Sequence, residues 1–484
     1  LFVFTAKNVV EYNEAMKLYN TLSRKKQTFT PLKKGRVSLY TCGPTVYHYS
    51  HIGNLRSYIF ADTLERSLAS EGYKVRRVMN ITDVGHLSGD GDVGEDKLEA
   101  AAARSKKTVW DVARFYTKAF FDDCARLNIK KPKKAVRATD AIPAQIKLIT
   151  QLSAKGYAYE TEQAVYFDIS KFKSYGKLSG QSLEQKLVAA RSEVVEDPDK
   201  KHPADFSLWF KRVGAHRDHA MHWKSPWGDG FPGWHIECSA ISSKYLGQPF
   251  DIHTGGVDHI GTHHENEIAQ SEAATGKPLA KVWMHNEFLV VDKRKMAKSS
   301  GSFVTLKDAQ TKGFEPLSLR YLALTAHYRS LLHFSWDSLG AAQNALHNLL
   351  DEINRSRSPK KGKSADLYIK KFKSHISNDL DTPRALALVW EAAKDPALGH
   401  KIFINFIKTA DKVLGLDLVA SAHKRAKEQA AIPSSIKKLA DERWSEKIAG
   451  NFKKADQIRL TLAKKGYNIQ DQQGAYSIKK ENAQ

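Results

Sequence analysis

The chain has 484 residues, 42% apolar and 27% charged, an ordinary globular composition for two to four domains of roughly 100–200 residues each. No apolar run approaches the roughly 18 residues of a membrane helix, and three widely separated cysteines (Cys42, Cys124, Cys238) exclude a disulfide scaffold or a CxxC-type zinc ribbon. Lys and Arg total 76 against 53 Asp and Glu, and the net charge of +23 points to a polyanionic partner, nucleic acid ahead of an anionic membrane surface. The first residues, LFVFTAKNVVEYNE, lack a basic flank before an apolar core and so do not read as a secretion signal. A reducing, cytoplasmic compartment is therefore expected.

In chain order, residues 36–41 form a short strand candidate that ends in Cys42-Gly43-Pro44. A helix with Phe60, Leu64 and Leu68 on one face follows and closes at Gly72. Residues 74–81 (KVRRVMNI) read as a second strand. Strand, helix and strand within about 45 residues predict a βαβ unit and a parallel, doubly wound sheet. Later strand-like runs are 163–167, 250–253 and 287–291, and a polar, acidic stretch at 188–202 reads as an insertion or surface loop. From about residue 340 the pattern turns helical, with periodic stretches at 341–353, 383–393 and 437–465 and a polar linker at 356–364. Residues 341–484 carry a net +11, about twice the charge per residue of the first 340. An all-helical C-terminal region ending in a short Lys/Arg-rich module is expected.

Gly89-Asp90-Gly91-Asp92-Val93-Gly94 matches the dinucleotide pattern GxGxxG, but two carboxylates in a phosphate cradle would repel the ligand. It reads as a solvated loop. In CGPTVYHYSHIGN (42–54), His51 opens a helix where backbone N–H dipoles converge, and Gly53 lets a ring or phosphate approach the backbone. Alone, a histidine at a helix start is usually just a cap or core residue. In DIHTGGVDHIGTHHENEIAQSE (251–272), Thr262 and Glu265 form a capping box that starts a helix at about His263. His263 and Glu267 then share a face at i and i+4, as metal ligands or as a solvated face. Cys42 and Cys238 are distant in sequence and would complete a Cys₂HisGlu set if the fold brings them together. KMAKS (295–299) follows an apolar strand, and its two lysines suit polyphosphate or a basic surface turn.

Taken together and in order, these motifs resemble those of class I aminoacyl-tRNA synthetases: HIGN is similar to the HIGH signature and KMAKS to the KMSKS loop. The resemblance narrows to the cysteinyl members through NITDV (80–84), RATDAI (137–142), DFSLW (205–209), SPWGDGFPGWHIECSA (225–240) and HYRSLLHFSW (327–336), and runs from about residue 17 to the C-terminus. It implies an α/β fold. A Rossmann-like catalytic domain (17–130 and 235–294) would be split by a connective insertion (131–234). A stem-contact region (295–340), an all-α helical bundle (341–430) and a small anticodon-binding module (431–484) would follow.

The resemblance further implies one Zn²⁺ on Cys42, Cys238, His263 and Glu267, and a cysteine pocket of Thr82, Trp234, His253 and Asp258. ATP, with Mg²⁺, would meet Thr45, His51, Gly53, Asn54, Asp258, Lys295, Lys298 and Ser299, of which His51, Asn54, Lys295 and Lys298 act on the transferring phosphates. Lys447, Asp456 and Asp471 would contact the anticodon. The implied reaction adenylates L-cysteine and transfers it to tRNA(Cys) in the cytoplasm, on a monomer with no membrane partner. Zinc would select thiolate over the serine hydroxyl without an editing domain. The chain departs from the pattern at Asn54, at Ala297, in the long loop 85–96 and at Lys447, which lacks the bidentate fork of Arg. Two rivals are a cysteine ligase with an amino-sugar acceptor and a non-catalytic zinc-stabilised RNA-binding paralogue.

Overall fold

The computed structural model describes residues 15–87, 94–181, 197–291, 294–295, 303–357, 364–472 and 475–480. Its central sheet is parallel, with strands in the spatial order Ala280–Asn286, Phe250–Gly256, Arg36–Thr41, Lys74–Ile81, Lys134–Arg137. Both faces are covered, so Phe250–Gly256 is buried throughout and reads as a continuous run rather than an alternating one. Successive residues still face opposite ways. Leu39 packs into a core with the helix Ile52–Ser70, whereas Tyr40 joins Ile241 and Ile268 of the helices Trp234–Leu246 and His263–Thr275.

Strand order reverses between Arg36–Thr41 and Phe250–Gly256. From the first strand the chain steps outward through Lys74–Ile81 and Lys134–Arg137, then returns to the other side. Neighbouring crossovers there leave in opposite directions, and a crevice opens at the carboxyl ends of the two strands.

The strands expected at 36–41 and 74–81 occupy those bounds, and the helix between them ends before Gly72, whose φ is +87°. The run expected at 287–291 shortens to Leu289–Val291, because the Glu287 carbonyl accepts from Arg56 Nη1 (2.8 Å). Between the halves of the central sheet in sequence comes an antiparallel sheet, ordered Ala158–Glu160, Ala164–Phe167, Phe206–Lys211, Gly228–Pro232, Trp223–Ser225, over a core of Ile149, Phe167 and Trp209 that it shares with the helices Trp234–Leu246 and His263–Thr275. Most of the acidic stretches at 89–94 and 188–202, and part of the linker at 356–364, lie outside the described residues.

The helices Trp336–Asn354, Asp366–Ser377, Thr382–Lys394, His400–Leu414 and Leu418–Ala430 form the bundle. Its Phe372, Phe403 and Phe406 belong to the same core as Leu55 and Leu64, so a cut at residue 340 would open that core rather than release a folded fragment. Residues 434–480 form a separate small core around Ile436, Ala440, Ile458, Leu462 and Ile469. The helical stretch expected at 437–465 is broken at Gly450 (φ +80°) into Ser434–Ile448 and Phe452–Lys464. The antiparallel strands Tyr467–Gln472 and Ala475–Lys480 then close the module, an addition that the helical periodicity before them does not announce. No described helix is long and apolar enough to cross a membrane.

One buried arginine joins the bundle to the helix Ile52–Ser70 that flanks the central sheet. Arg320, fully buried, donates Nε to the Leu414 carbonyl (2.6 Å), Nη1 to the Leu127 and Asn128 carbonyls (3.1 and 3.2 Å) and Nη2 to Asp62 Oδ2 (2.6 Å). Arg320→Met should leave Asp62 short of one partner and three carbonyls without this donor. Breaking a buried pair typically costs about 3–5 kcal/mol, so a clear fall in the urea unfolding midpoint is expected. A wild-type midpoint in this variant would refute the hub role.

Candidate active site

The crevice between the two strands is a cleft of about 670 Å³. Its lining includes Thr45, Thr82 and Asp258 from the segments after the strands, Trp234 from the start of the helix Trp234–Leu246, and His51, Gly53 and Asn54 from the start of the helix Ile52–Ser70. Cys42 and His263 open onto the cleft, while Cys238 and Glu267 are fully buried behind them. Cys42 remains pinned to the neighbouring strand, its N–H donating to the Thr254 carbonyl (3.2 Å). The next residue must be glycine, because a Cβ on Gly43 would sit 1.7 Å from the Asn80 carbonyl oxygen.

The ligand atoms of Cys42, Cys238, His263 and Glu267 all lie within 4.8 Å of one another. Burial pushes the Cys42 thiol up to about 12 and Cys238 well above its usual range, with Glu267 adding to both shifts. No described ion pair brings Lys or Arg to these groups. Two sulfurs, an imidazole and a carboxylate buried together with no Lys or Arg partner among the described residues are a donor set that fits a dication, and sulfur with nitrogen favours zinc. Cys42, His253, His264 and Glu267 also converge. Two of these are better described as supports: His253 Nε2–H donates to Glu267 Oε2 (2.8 Å), and His264 Nε2 lies 3.2 Å from Cys42 Sγ while its Nδ1 meets His285 Nε2 (2.7 Å). His253 is fully buried and does not line the cleft, so it stands behind the pocket beside Glu267 rather than at its surface.

The helix carrying His263 starts where the sequence indicates, but not for the expected reason. Thr262 makes no side-chain cap. Glu265 reaches away and accepts the N–H groups of Gly176 (2.9 Å), Leu178 (3.1 Å) and Ser179 (2.9 Å). The tertiary contact outcompetes the local box.

At the other helix start, His51 is a true N-cap, its Nδ1 accepting the Asn54 N–H at 3.0 Å. The ring that approaches Gly53 is that of His51 itself, 2.9 Å from where a Cβ would stand. Ile52 N–H donates to the Val304 carbonyl (2.9 Å), which ties this helix to the segment after KMAKS. Lys295 lies on the short strand Arg294–Lys295, paired with Val290; its side chain, with Lys298 and Ser299, falls outside the described residues.

In the terminal module, Lys447 Nζ meets Asp471 Oδ2 at 2.9 Å, and Asp456 stands exposed on the next helix. The stronger partner of Asp471 is Arg443, which the motifs did not single out: it is buried and donates both Nη groups to the two carboxylate oxygens. Arg443 and Lys447 share a helical face at i and i+4. Sequence reading also passed over Glu237, whose Oε1 accepts from the Thr82 hydroxyl and from Asn80 Nδ2 (3.4 Å), and whose burial pushes its carboxyl well above the usual range. Its place beside Cys238 in WHIECSA was the available signal.

The family described as tRNA synthetases class I (C) catalytic domain matches residues 28–344. A cysteine–tRNA ligase of Treponema denticola is 44% identical over 96% of this chain and 100% of its own length. Cysteine–tRNA ligase 1 of Burkholderia lata is 45% identical over 94% of each chain. Among solved structures, the methionyl-tRNA synthetase of Mycobacterium tuberculosis with methionyl-adenylate superposes with a TM-score of 0.57 at 17% identity, over 83% of this chain and 95% of that one, a likeness of fold.

Paired chiefly with Arg443, the Asp471 carboxyl is held down to about 2. That is below its unfolded value of about 3.9, so the pair stabilises the module fully above about pH 4 and loses its effect as pH falls toward about 2. Carbon NMR of the Asp471 carboxyl should show a titration near pH 2 that rises in Arg443→Ala. An ordinary titration in the wild type would refute the pairing.

Proposed function

The chain belongs to the class I aminoacyl-tRNA synthetases as a cysteine–tRNA ligase, and we propose that its cleft joins L-cysteine to ATP over a zinc-selected thiolate. The observation that carries the proposal is the convergence of Cys42, Cys238, His263 and Glu267 at the floor of the cleft that the HIGN helix opens. Zinc held by these four residues would supply a Lewis acid that prefers a thiolate to the much less acidic serine hydroxyl. Thr82, Trp234 and Asp258 border the same space and would hold the amino acid.

The cysteine carboxylate attacks the α-phosphorus of ATP, brought as its Mg²⁺ complex, and the bond to the β-bridging oxygen breaks to release pyrophosphate. The 3′-terminal hydroxyl of tRNA(Cys) then attacks the acyl carbon, and AMP leaves. Neither step needs a protein nucleophile; positioning and charge stabilisation suffice. Because His51 Nδ1 accepts the Asn54 N–H, Nε2 carries the ring proton, the donor that a phosphate oxygen requires. The Asn54 side chain adds an amide donor at the same helix start, and Lys295, Lys298 and Ser299 would supply the remaining contacts to the phosphates.

We assign 131–234 as the connective insertion, 295–340 as the stem-contact region, 341–430 as the bundle and 431–484 as the anticodon-binding module, with Lys447, Asp456 and Asp471 toward the anticodon. The net +11 over residues 341–484 supports a long phosphate-bearing partner and argues against an amino-sugar acceptor, which needs no such surface. Cysteine-dependent exchange of pyrophosphate into ATP separates the enzyme from a non-catalytic paralogue, and charging of tRNA separates it from the amino-sugar ligase.

Metal analysis and adenylation assays on Cys238→Ser should show about one zinc per wild-type chain, lost in the variant together with cysteine activation. A metal-free variant that still activates cysteine and rejects serine would place selection elsewhere. A chain ending at Ala430 keeps the shared core and removes only the module with its own core. It should retain pyrophosphate exchange and lose most tRNA charging; full charging would overturn the assignment of the module.

A further inference from the structure

Beside the four donors, one wall of the cleft is a stack of three rings. His86 and Trp234 lie 4.3 Å apart at 13°, and Trp234 and His263 lie 4.4 Å apart at 30°. His263 is one of the donors, so the indole stands between the thiol seat and His86. Both nitrogens of His86 are engaged. Lys97 Nζ is 2.8 Å from Nε2, and Nδ1 is 2.7 Å from Thr45 Oγ1. An ammonium only donates, so Nε2 accepts, Nδ1 carries the proton, and the ring donates to Thr45.

Lys97 is itself placed from behind. Its N–H donates to the His86 carbonyl (3.0 Å). The preceding Asp96 caps the helix Lys97–Ser105 by accepting the N–H groups of Leu98 (2.7 Å) and Glu99 (3.1 Å). The imidazole backing the indole is thus fixed by two side chains and by the backbone of its own loop.

A zinc centre reads sulfur but not the length of the chain that carries it. Any alkyl thiol meets the same four donors, so side-chain length has to be read by the surrounding wall. We propose that His86, held by Lys97, is a specificity-determining positioning residue: by backing Trp234 it sets the depth of the amino-acid pocket and restricts the substrate thiol to one side-chain methylene. This rests on the cysteine-ligase reading. It extends that reading to His86, in the loop after the strand Lys74–Ile81, and to Lys97, at the start of the helix Lys97–Ser105, and assigns them no contact with reacting atoms.

The probe is homocysteine, the same thiol with one more methylene, measured against cysteine in pyrophosphate exchange by the full-length zinc-loaded protein. An apolar wall discriminates one methylene by roughly 10–200-fold. His86→Ala, which lets the indole fall back, should lower the cysteine-to-homocysteine ratio of kcat/KM by about tenfold or more, chiefly through a fall in the KM for homocysteine. Lys97→Met should move the ratio the same way by less, and Lys97→Arg should restore it. His86→Phe keeps the stack and should keep the ratio. A His86→Ala protein that holds zinc and activates cysteine with an unchanged ratio overturns the proposal. If His86→Ala does not fold, an unchanged ratio in Lys97→Met overturns it. Failure of the wild type to activate cysteine would instead sink the reading on which it rests.

Discussion

Everything about the site follows from two neighbouring parallel strands whose connections leave in opposite directions. Beyond Thr41 and Gly256 the backbones part, and no third strand fills the gap. Cys42 is the first residue past one strand, still hydrogen-bonded to Thr254 of the other. His263 and Glu267 lie on the helix that begins soon after the second strand ends. Residues more than 220 positions apart therefore share a few ångströms of space, and the bare backbone at Gly43 lets the turn pass the Asn80 carbonyl.

A crevice of this kind holds its shape only if its walls are tied across elements. Arg56, one half-turn past Asn54, donates to the carbonyls of Glu287 (2.8 Å), Phe288 (2.5 Å), His327 (3.3 Å) and Ser330 (2.6 Å). The helix that carries one signature is thereby fastened to the strand that leads to the other. Glu265 fastens the helix His263–Thr275 to the turn at Gly176–Ser179 in the same manner. In both cases a charged group is buried because several backbone partners satisfy it, which is the condition under which burial is tolerated.

The C-terminal half divides by its cores. The bundle shares apolar packing with the central sheet and is locked by Arg320 to the helix Ile52–Ser70 beside it, whereas residues 434–480 have a core of their own. A continuous core transmits position, and a self-contained module can carry a recognition surface without disturbing the chemistry. The acidic Asp471 in that basic module is held ionised by Arg443 and Lys447, so its oxygens present fixed acceptors at the surface.

The amino-acid sequence alone determined the βαβ start, the bounds of the strands at 36–41 and 74–81 and the helical character of most of the C-terminal region, and its motifs pointed to Cys42, Cys238, His263 and Glu267, which only the fold brings together. Hydrophobic periodicity and signature motifs are local properties, legible over ten or twenty residues. Tertiary structure decided the rest. It took Glu265 from its expected capping role, buried His253 behind a carboxylate, put Arg443 rather than Lys447 in command of Asp471, and drew His86 and Lys97 into the wall beside Trp234. For Glu265 the outcome is a competition between the local cap at Thr262 and backbone partners brought from almost ninety residues away. Which contact forms depends on the surfaces that the sheet and its crossovers press together, and that placement is not a property of any short window of sequence.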